Sequence, residues 1–261
     1  MLVLEESQPI EFREDRLLVK TLSDDHDLRA SYHLRHQVFA DRLEWVAKSD
    51  DELEVDTYDA FATSIGLFDD DRKLRGVFRM VRSPYPFMIE KEFRSCLLSS
   101  CEIRKEHDTA EITRLALDPT LTDKGLSSRL MLILIKGVYQ WSRQNEVPYM
   151  YMVVEKRFLR VLRGIGLPCE AISPAVSLPP AGALSIAALL DWKQFYETCQ
   201  LKQPSFFQWM NTVDGSTMFE KSGFLARDPR EQFAQSGVIR ARRQDEQPLG
   251  EIEVGGRLAA A

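Results

Sequence analysis

The chain has 261 residues, 44% of them hydrophobic, enough apolar material for one large α/β domain with a sizeable core and no need of staples. Its net charge of -6 argues against nucleic acid as a main partner, because neutralising phosphates takes a basic surface. No long apolar run suits a membrane span, and residues 1–9 lack the basic start and apolar stretch of a signal peptide, so a cytoplasmic protein with no membrane partner is expected. Cys96, Cys101, Cys169 and Cys199 form no CxxC pair and have no metal-ligand spacing with His26, His33, His36 or His107. Reduced thiols and no metal site are expected.

In chain order, residues 24–39 open on Asp24 and Asp25 and then place Leu28, Tyr32, Leu34, Val38 and Phe39 on one side, which predicts a capped first helix. Residues 60–68 and 74–81 are apolar-rich runs separated by Asp69, Asp70, Asp71, Arg72 and Lys73, the pattern of an antiparallel hairpin. Pro84 and Pro86 cannot serve a paired strand, so a loop follows. Residues 110–117 read as a strand ending at Asp118 and Pro119, and residues 126–142 as a helix through Leu130, Leu134, Ile135 and Val138. Next come a strand over 149–154, a short helix over 157–163, a strand over 168–172 and a helix over 181–198. A hairpin followed by strand–helix units predicts a mixed central sheet covered on both faces, a three-layer α-β-α sandwich. Residues 228–261 turn charged and Gly/Ala-rich, so the expected division is a domain over 1–227 and a poorly packed tail over 228–261.

Charged and aromatic residues gather in the first 114 positions: Arg35, Phe39, Trp45, Asp56, Asp59, Arg79, Phe93, Glu111 and Arg114. Taken singly, charges on strands face solvent unless they are paired inside a cleft. Taken together, Arg35-x-x-x-Phe39, Trp45, Asp56-x-x-Asp59, Arg79, Phe93 and Glu111-Ile112-Thr113-Arg114 resemble the acyl-homoserine-lactone synthase (autoinducer synthase) family in type and order. The resemblance is strong over 35–114 and looser over 126–190.

That resemblance implies a GNAT-like (acyl-CoA N-acyltransferase-like) fold and two substrates, S-adenosylmethionine and an acyl group on acyl carrier protein or coenzyme A, with no permanently bound cofactor. It assigns Arg35, Phe39, Trp45, Asp56, Arg79 and Phe93 to the S-adenosylmethionine side, and Glu111, Asp59 and Arg114 to catalysis. The residue types suit that chemistry, since Trp45 offers a π face to a sulfonium, and Arg35 or Arg114 a guanidinium to a carboxylate. An α-amine must lose a proton before it attacks a thioester, and Glu111, then Asp59, then His107 are candidate bases. The resulting oxyanion would be met by backbone amides at a bulged strand near residues 115–117. Lactone closure joins two groups of one molecule and needs only orientation. The structural alternative is a buried ion-pair network in which Arg35, Arg79 and Arg114 face Asp56, Asp59 and Glu111.

Only residues 122–127 approximate a phosphate-binding turn, and Thr122 stands where a basic or amide side chain would serve, so coenzyme A has weak support. Lys156, Arg157, Arg160 and Arg163 form an amphipathic basic stretch in which Arg157 and Arg160 are candidates for docking an acidic carrier. Met152 and Val153 are candidates for lining an acyl pocket between the sheet and the 126–142 helix. Two other readings stay open: acylation of a different amine, as in exosortase-associated acyltransferase-like proteins, and a non-catalytic module that binds acyl carriers.

Overall fold

The computed structural model describes residues 7–180 and 182–213. The expected boundary between 227 and 228, the charged tail and residues 1–6 lie outside the described residues.

The sheet begins with two antiparallel hairpins. β1 (Glu11–Glu14) turns into β2 (Leu17–Thr21), and β3 (Thr63–Phe68) turns into β4 (Leu74–Arg82) through the acidic loop that the sequence predicts. β5 (Thr109–Leu117), β6 (Tyr149–Glu155), β7 (Cys169–Ala171), β8 (Val176–Leu178) and β9 (Ala183–Asp191) complete it. The spatial order is β1-β2-β3-β4-β5-β6-β9-β7, with β8 also pairing β9. β5 and β6 are the parallel pair; the other ladders are antiparallel.

That parallel ladder is short. It joins Thr109 to Tyr149, Ala110 to Met150 and Glu111 to Tyr151, then stops, although β5 runs on to Leu117 and β6 to Glu155. Beyond Glu111 the two central strands no longer pair, which opens a cleft in the middle of the sheet.

On one face lie α2 (Lys124–Gln144), α3 (Lys156–Gly164), α4 (Trp192–Lys202) and α5 (Pro204–Asn211). α2 runs so close to β4 that a Cβ on Gly76 would meet Leu134 at 2.8 Å. The helix is buried almost all round: a Cβ on Gly137 would meet Phe78 of β4 and Val19 of β2 on the sheet side, and α5 also packs against it. There Lys136 donates to Glu14 at 2.5 Å, and Trp209 Nε1 donates to the same carboxylate at 2.8 Å. This pairing lets a lysine sit in the core.

The opposite face carries α1 (Asp25–Arg35), whose first turn is capped by Asp24, and a π-helical continuation His36–Arg42. The two together fill the predicted first helix. The remaining cover is irregular chain over residues 43–62 and 83–108, with short 3₁₀ turns at Thr57–Ala60, Met88–Glu90 and Arg94–Cys96.

One expectation is overturned. Residues 183–191 form β9 rather than the first half of a helix, and α4 starts only at Trp192. The Ala- and Leu-rich run carries helical propensity, yet it pairs with β6 on one side and β7 and β8 on the other, so tertiary pairing overrides local preference. The first hairpin, β8 and α5 have no counterpart among the elements expected from sequence.

Candidate active site

β4 and β5 bring charge to the α1 face by different means. On β4 simple alternation sends Phe78 and Met80 into the core beneath α2 and leaves Arg79 on the other side. On β5 the ladder pairs Val77 with Ala116 and Arg79 with Thr113, so Arg114 and Leu115 together oppose Phe78. This is a β-bulge, and Arg114 sits in left-handed backbone with φ 54°. Without the extra residue, Arg114 would point away from Thr113, into the core. With it, both face the same side.

Three guanidiniums and three carboxylates meet there. Arg35 donates from Nε to Glu54 at 2.5 Å and in a fork to both oxygens of Asp59 at 2.7 and 3.0 Å. Arg79 donates to Thr113 Oγ1 at 3.0 Å, to Asp56 at 2.6 and 2.9 Å and to Asp59 at 2.9 Å. Arg114 reaches Glu54 from Nε at 3.1 Å and from Nη2 at 2.8 Å, and Asp56 at 3.0 Å. Met88 Sδ lies 3.1 Å from Arg79 Nη2 and 3.6 Å from Arg114 Nη1.

The Asp56-x-x-Asp59 spacing has a local cause. Asp56 caps the 3₁₀ turn Thr57–Ala60 by accepting from Tyr58 N, while Asp59 accepts from Asp56 N, a capping box that locks both carboxylates toward the arginines. Burial pushes the carboxyls of Glu54 and Asp59 up, but their arginine partners outweigh it and hold each at about 2. Arg35 is wholly buried, and its carboxylate partners hold its protonation firmly against desolvation. Asp56 keeps the most exposed carboxylate of the three, at 22%.

Phe39 lies beneath Arg114, whose guanidinium carbon is 5.3 Å from the ring centroid. Trp45 tilts against Phe39 with centroids 6.0 Å apart, and its backbone N–H donates to Phe39 O at 2.8 Å. Phe93 is half-buried beside the Met88 turn and donates its N–H to Met88 O at 3.1 Å.

Glu111 stands apart from the ion pairs, and Glu54 fills the place that the alternative reading of the sequence as an ion-pair network gave to Glu111. It is 1% exposed and accepts from Met88 N at 2.5 Å and Ile89 N at 2.8 Å. Burial pushes its carboxyl up to about 8, against the pull of those two N–H donors. His107 is exposed in the turn before β5 and has no part in this cluster.

Met152 and Val153 split across the sheet as successive strand residues must. Met152 belongs to the core beneath α2, whereas Val153 joins Tyr58, Phe87 and Met88 on the side of the charged cluster. Arg157 and Arg160 stand exposed on α3 with Lys156 and Arg163, while Phe158, Leu159 and Leu162 are buried.

Glu54 and Met88 are the members that sequence reasoning missed. A signal for Glu54 existed: it lies two residues before Asp56, and in extended chain such residues share a side. Among the described residues, one His/Asp group, Asp24, His26 and Asp27, has a spacing that suits a cation, but Asp24 caps α1 and Asp27 pairs with Lys20 at 2.5 Å. No described helix is long and apolar enough to cross a membrane.

Comparisons with known proteins identify the family and the fold. The autoinducer synthase family model matches residues 20–194. An acyl-homoserine-lactone synthase of Aeromonas salmonicida is 30% identical over 165 residues, covering 61% of this chain and 79% of the relative. Among solved structures, the acyl-homoserine-lactone synthase LasI superposes with a TM-score of 0.58 at 21% identity, over 71% of this chain and 91% of LasI. The coenzyme A-dependent synthase BjaI, solved with S-adenosylmethionine and isopentyl-coenzyme A, gives 0.59 at 18% identity, over 77% of this chain and 93% of BjaI. The fold is therefore the acetyltransferase-like one that the sequence implied, and the chain, an acyltransferase, belongs to the autoinducer synthase family.

Proposed function

We propose that this synthase, acting in the cytoplasm, transfers an acyl group from a carrier-protein thioester to the α-amine of S-adenosylmethionine and then closes the lactone, producing a quorum-sensing signal. The amine nitrogen attacks the thioester carbon and the carrier thiol leaves. The methionyl carboxylate then attacks the carbon next to the sulfonium, and the C–S bond breaks to release neutral methylthioadenosine.

The observation that carries this reading is the charge-balanced cluster whose exposed edge is Asp56. Arg35, Arg79 and Arg114 already have carboxylate partners, so they act as the frame that orients Asp56, Phe39 and Trp45. A substrate with an ammonium and a sulfonium suits an acidic edge beside aromatic faces. Asp59, held at about 2, is a poor proton acceptor. Glu111, pushed up to about 8, matches the range of an α-amine and is the proposed base, acting through its remaining lone pairs. The bulge at Arg114 and Leu115, slightly before the expected residues 115–117, is the proposed source of oxyanion donors. The cleft beyond Glu111 and Tyr151 would take the pantetheine arm, with Val153 lining the acyl path.

Two features favour a carrier protein over coenzyme A. The N-terminus of α2, where a pyrophosphate would be received, is already capped by the Asp123 carboxylate, which accepts from Leu126 N at 2.9 Å. α3, which starts where β6 ends, presents Lys156, Arg157, Arg160 and Arg163 to solvent.

Binding measurements test the S-adenosylmethionine side. Trp45→Ala should weaken S-adenosylmethionine at least several-fold and leave carrier binding unchanged. Equal losses for both ligands would reject Trp45 as a contact.

A further inference from the structure

His36 is a buried titratable residue, 3% exposed, that takes no part in the charged cluster although it follows Arg35 directly and opens the π-helical segment bearing Phe39. Its Nε2 lies 3.2 Å from the backbone nitrogen of Ser49. A backbone amide can only donate, so Nε2 is the acceptor and the ring proton resides on Nδ1. Nδ1 makes no hydrogen bond and faces the Asp41 carboxylate at 3.4 Å, which is itself held by Lys48 at 2.8 Å.

Ser49 is a strategic point for such a bond. Its hydroxyl donates to Leu53 O at 2.7 Å and accepts from Leu53 N at 3.0 Å, closing the turn that leads to Glu54 and Asp56. The rest of residues 45–56 is stitched to α1 and its extension by backbone groups and by the Arg35–Glu54 and Asp41–Lys48 ion pairs. Trp45 N donates to Phe39 O, Glu54 N donates to Tyr32 O at 3.1 Å, and the His33 ring contacts Glu52 O at 3.1 Å. His36 is a buried side-chain tether at the middle of the segment, as Arg35 is at its Glu54 end. One short irregular segment thus delivers Trp45, Glu54 and Asp56, and its middle is held by one imidazole nitrogen on the buried side and by the Lys48–Asp41 ion pair on the exposed side.

We propose that His36 is a positioning residue for the S-adenosylmethionine side of the site, fixing residues 45–56 against the π-helical segment through Nε2. This rests on the reading of Trp45 and Asp56 as the S-adenosylmethionine side. Its action is indirect: it touches no substrate, and its effect is felt in binding rather than in the acyl-transfer step.

The test uses the full chain and compares His36→Phe, which keeps a ring but no acceptor, with His36→Gln, whose amide oxygen can accept from Ser49. The phenylalanine variant should raise KM for S-adenosylmethionine roughly five- to tenfold, the scale of one lost hydrogen bond, with KM for the acyl donor and kcat unchanged. The glutamine variant should return KM to within about twofold of the parent. Hydrogen exchange at the Ser49 amide should quicken in the phenylalanine variant only. Equal KM in both variants and the parent, with equal Ser49 protection, overturns the tether. Faster exchange with an unchanged KM for S-adenosylmethionine supports the tether and overturns the assignment of residues 45–56 to that substrate. Should the phenylalanine variant not fold, the nitrogen chemical shifts of His36 in the unaltered chain decide: an Nδ1–H tautomer is expected, and an Nε2–H tautomer overturns the proposal.

Discussion

Glu54 and Arg114, sixty residues apart in the chain, are joined by hydrogen bonds from Arg114 Nε at 3.1 Å and Nη2 at 2.8 Å. The pairing explains how a β-strand residue persists at φ 54°, where a non-glycine backbone is disfavoured. The bulge turns Arg114 out of the core, and Glu54 and Asp56 hold it there. The backbone distortion and the ion pairs are one device, built from two segments that neither sequence pattern nor propensity connects.

Removing one partner should therefore be costly. Glu54→Gln leaves Arg35 and Arg114 short of a buried counter-charge and should lower unfolding stability by about 3 kcal/mol, as broken buried pairs do. Chemical denaturation of the variant measures this. A loss under about 0.5 kcal/mol would show that the pair is solvated in solution.

Stability should depend on pH with opposite signs on two sides. Glu54 and Asp59 are depressed from ordinary values of 4.5 and 3.8 to about 2, so their contribution is present above the ordinary values and lost as pH falls toward 2. Glu111 is raised from 4.5 to about 8, so the folded state holds its proton more tightly, and that contribution is lost as pH rises from 4.5 through 8. Thermal midpoints measured from about pH 2 to 9 should peak near 5, and Glu111→Gln should flatten the alkaline limb. An unchanged alkaline limb in that variant would contradict the raised carboxyl.

Activity separates the roles of the same residue. As a base, Glu111 should support kcat/KM that rises with pH through about 8, and Glu111→Gln should lose about 10²–10⁴-fold with that rise abolished. A loss with the pH profile intact would assign Glu111 to holding the Met88 turn alone.

Docking and chain-length effects should be separable. Charge reversal at Arg157 and Arg160, both exposed, should raise KM for carrier-borne acyl groups without moving thermal stability, and added salt should shrink the difference. Val153→Phe should shorten the accepted acyl chain, whereas Met152→Ala, on the opposite face, should mainly destabilise the core by about 2–5 kcal/mol. Identical kinetics in the reversed and parent proteins would remove α3 from the docking surface.

Where the chain could be read in advance, a local physical signal was present. The acidic break over residues 69–73 between two apolar runs announced the β3–β4 hairpin, and the spacing of Leu130, Leu134 and Val138 announced α2. The family pattern delivered Arg35, Asp56, Asp59, Arg79 and Arg114, which do converge. What stayed hidden depends on tertiary context. Ala183–Asp191 is locally helical in composition and becomes a strand only because neighbours on both sides need its backbone. Glu54 lies in an acidic stretch with Asp50, Asp51 and Glu52, where its two-residue spacing from Asp56 is a faint mark, and its partners are 19 and 60 residues away. The bulge is a register event between strands, which one strand's sequence does not carry.

The most direct measurement is incubation of the full chain with S-adenosylmethionine and a panel of acyl-carrier-protein and acyl-coenzyme A thioesters, followed by mass detection. Acyl-homoserine lactone and methylthioadenosine should appear in equal amounts, faster from the carrier-protein thioesters. Methylthioadenosine without lactone, or acylation of another amine with S-adenosylmethionine left intact, would contradict the proposed reaction.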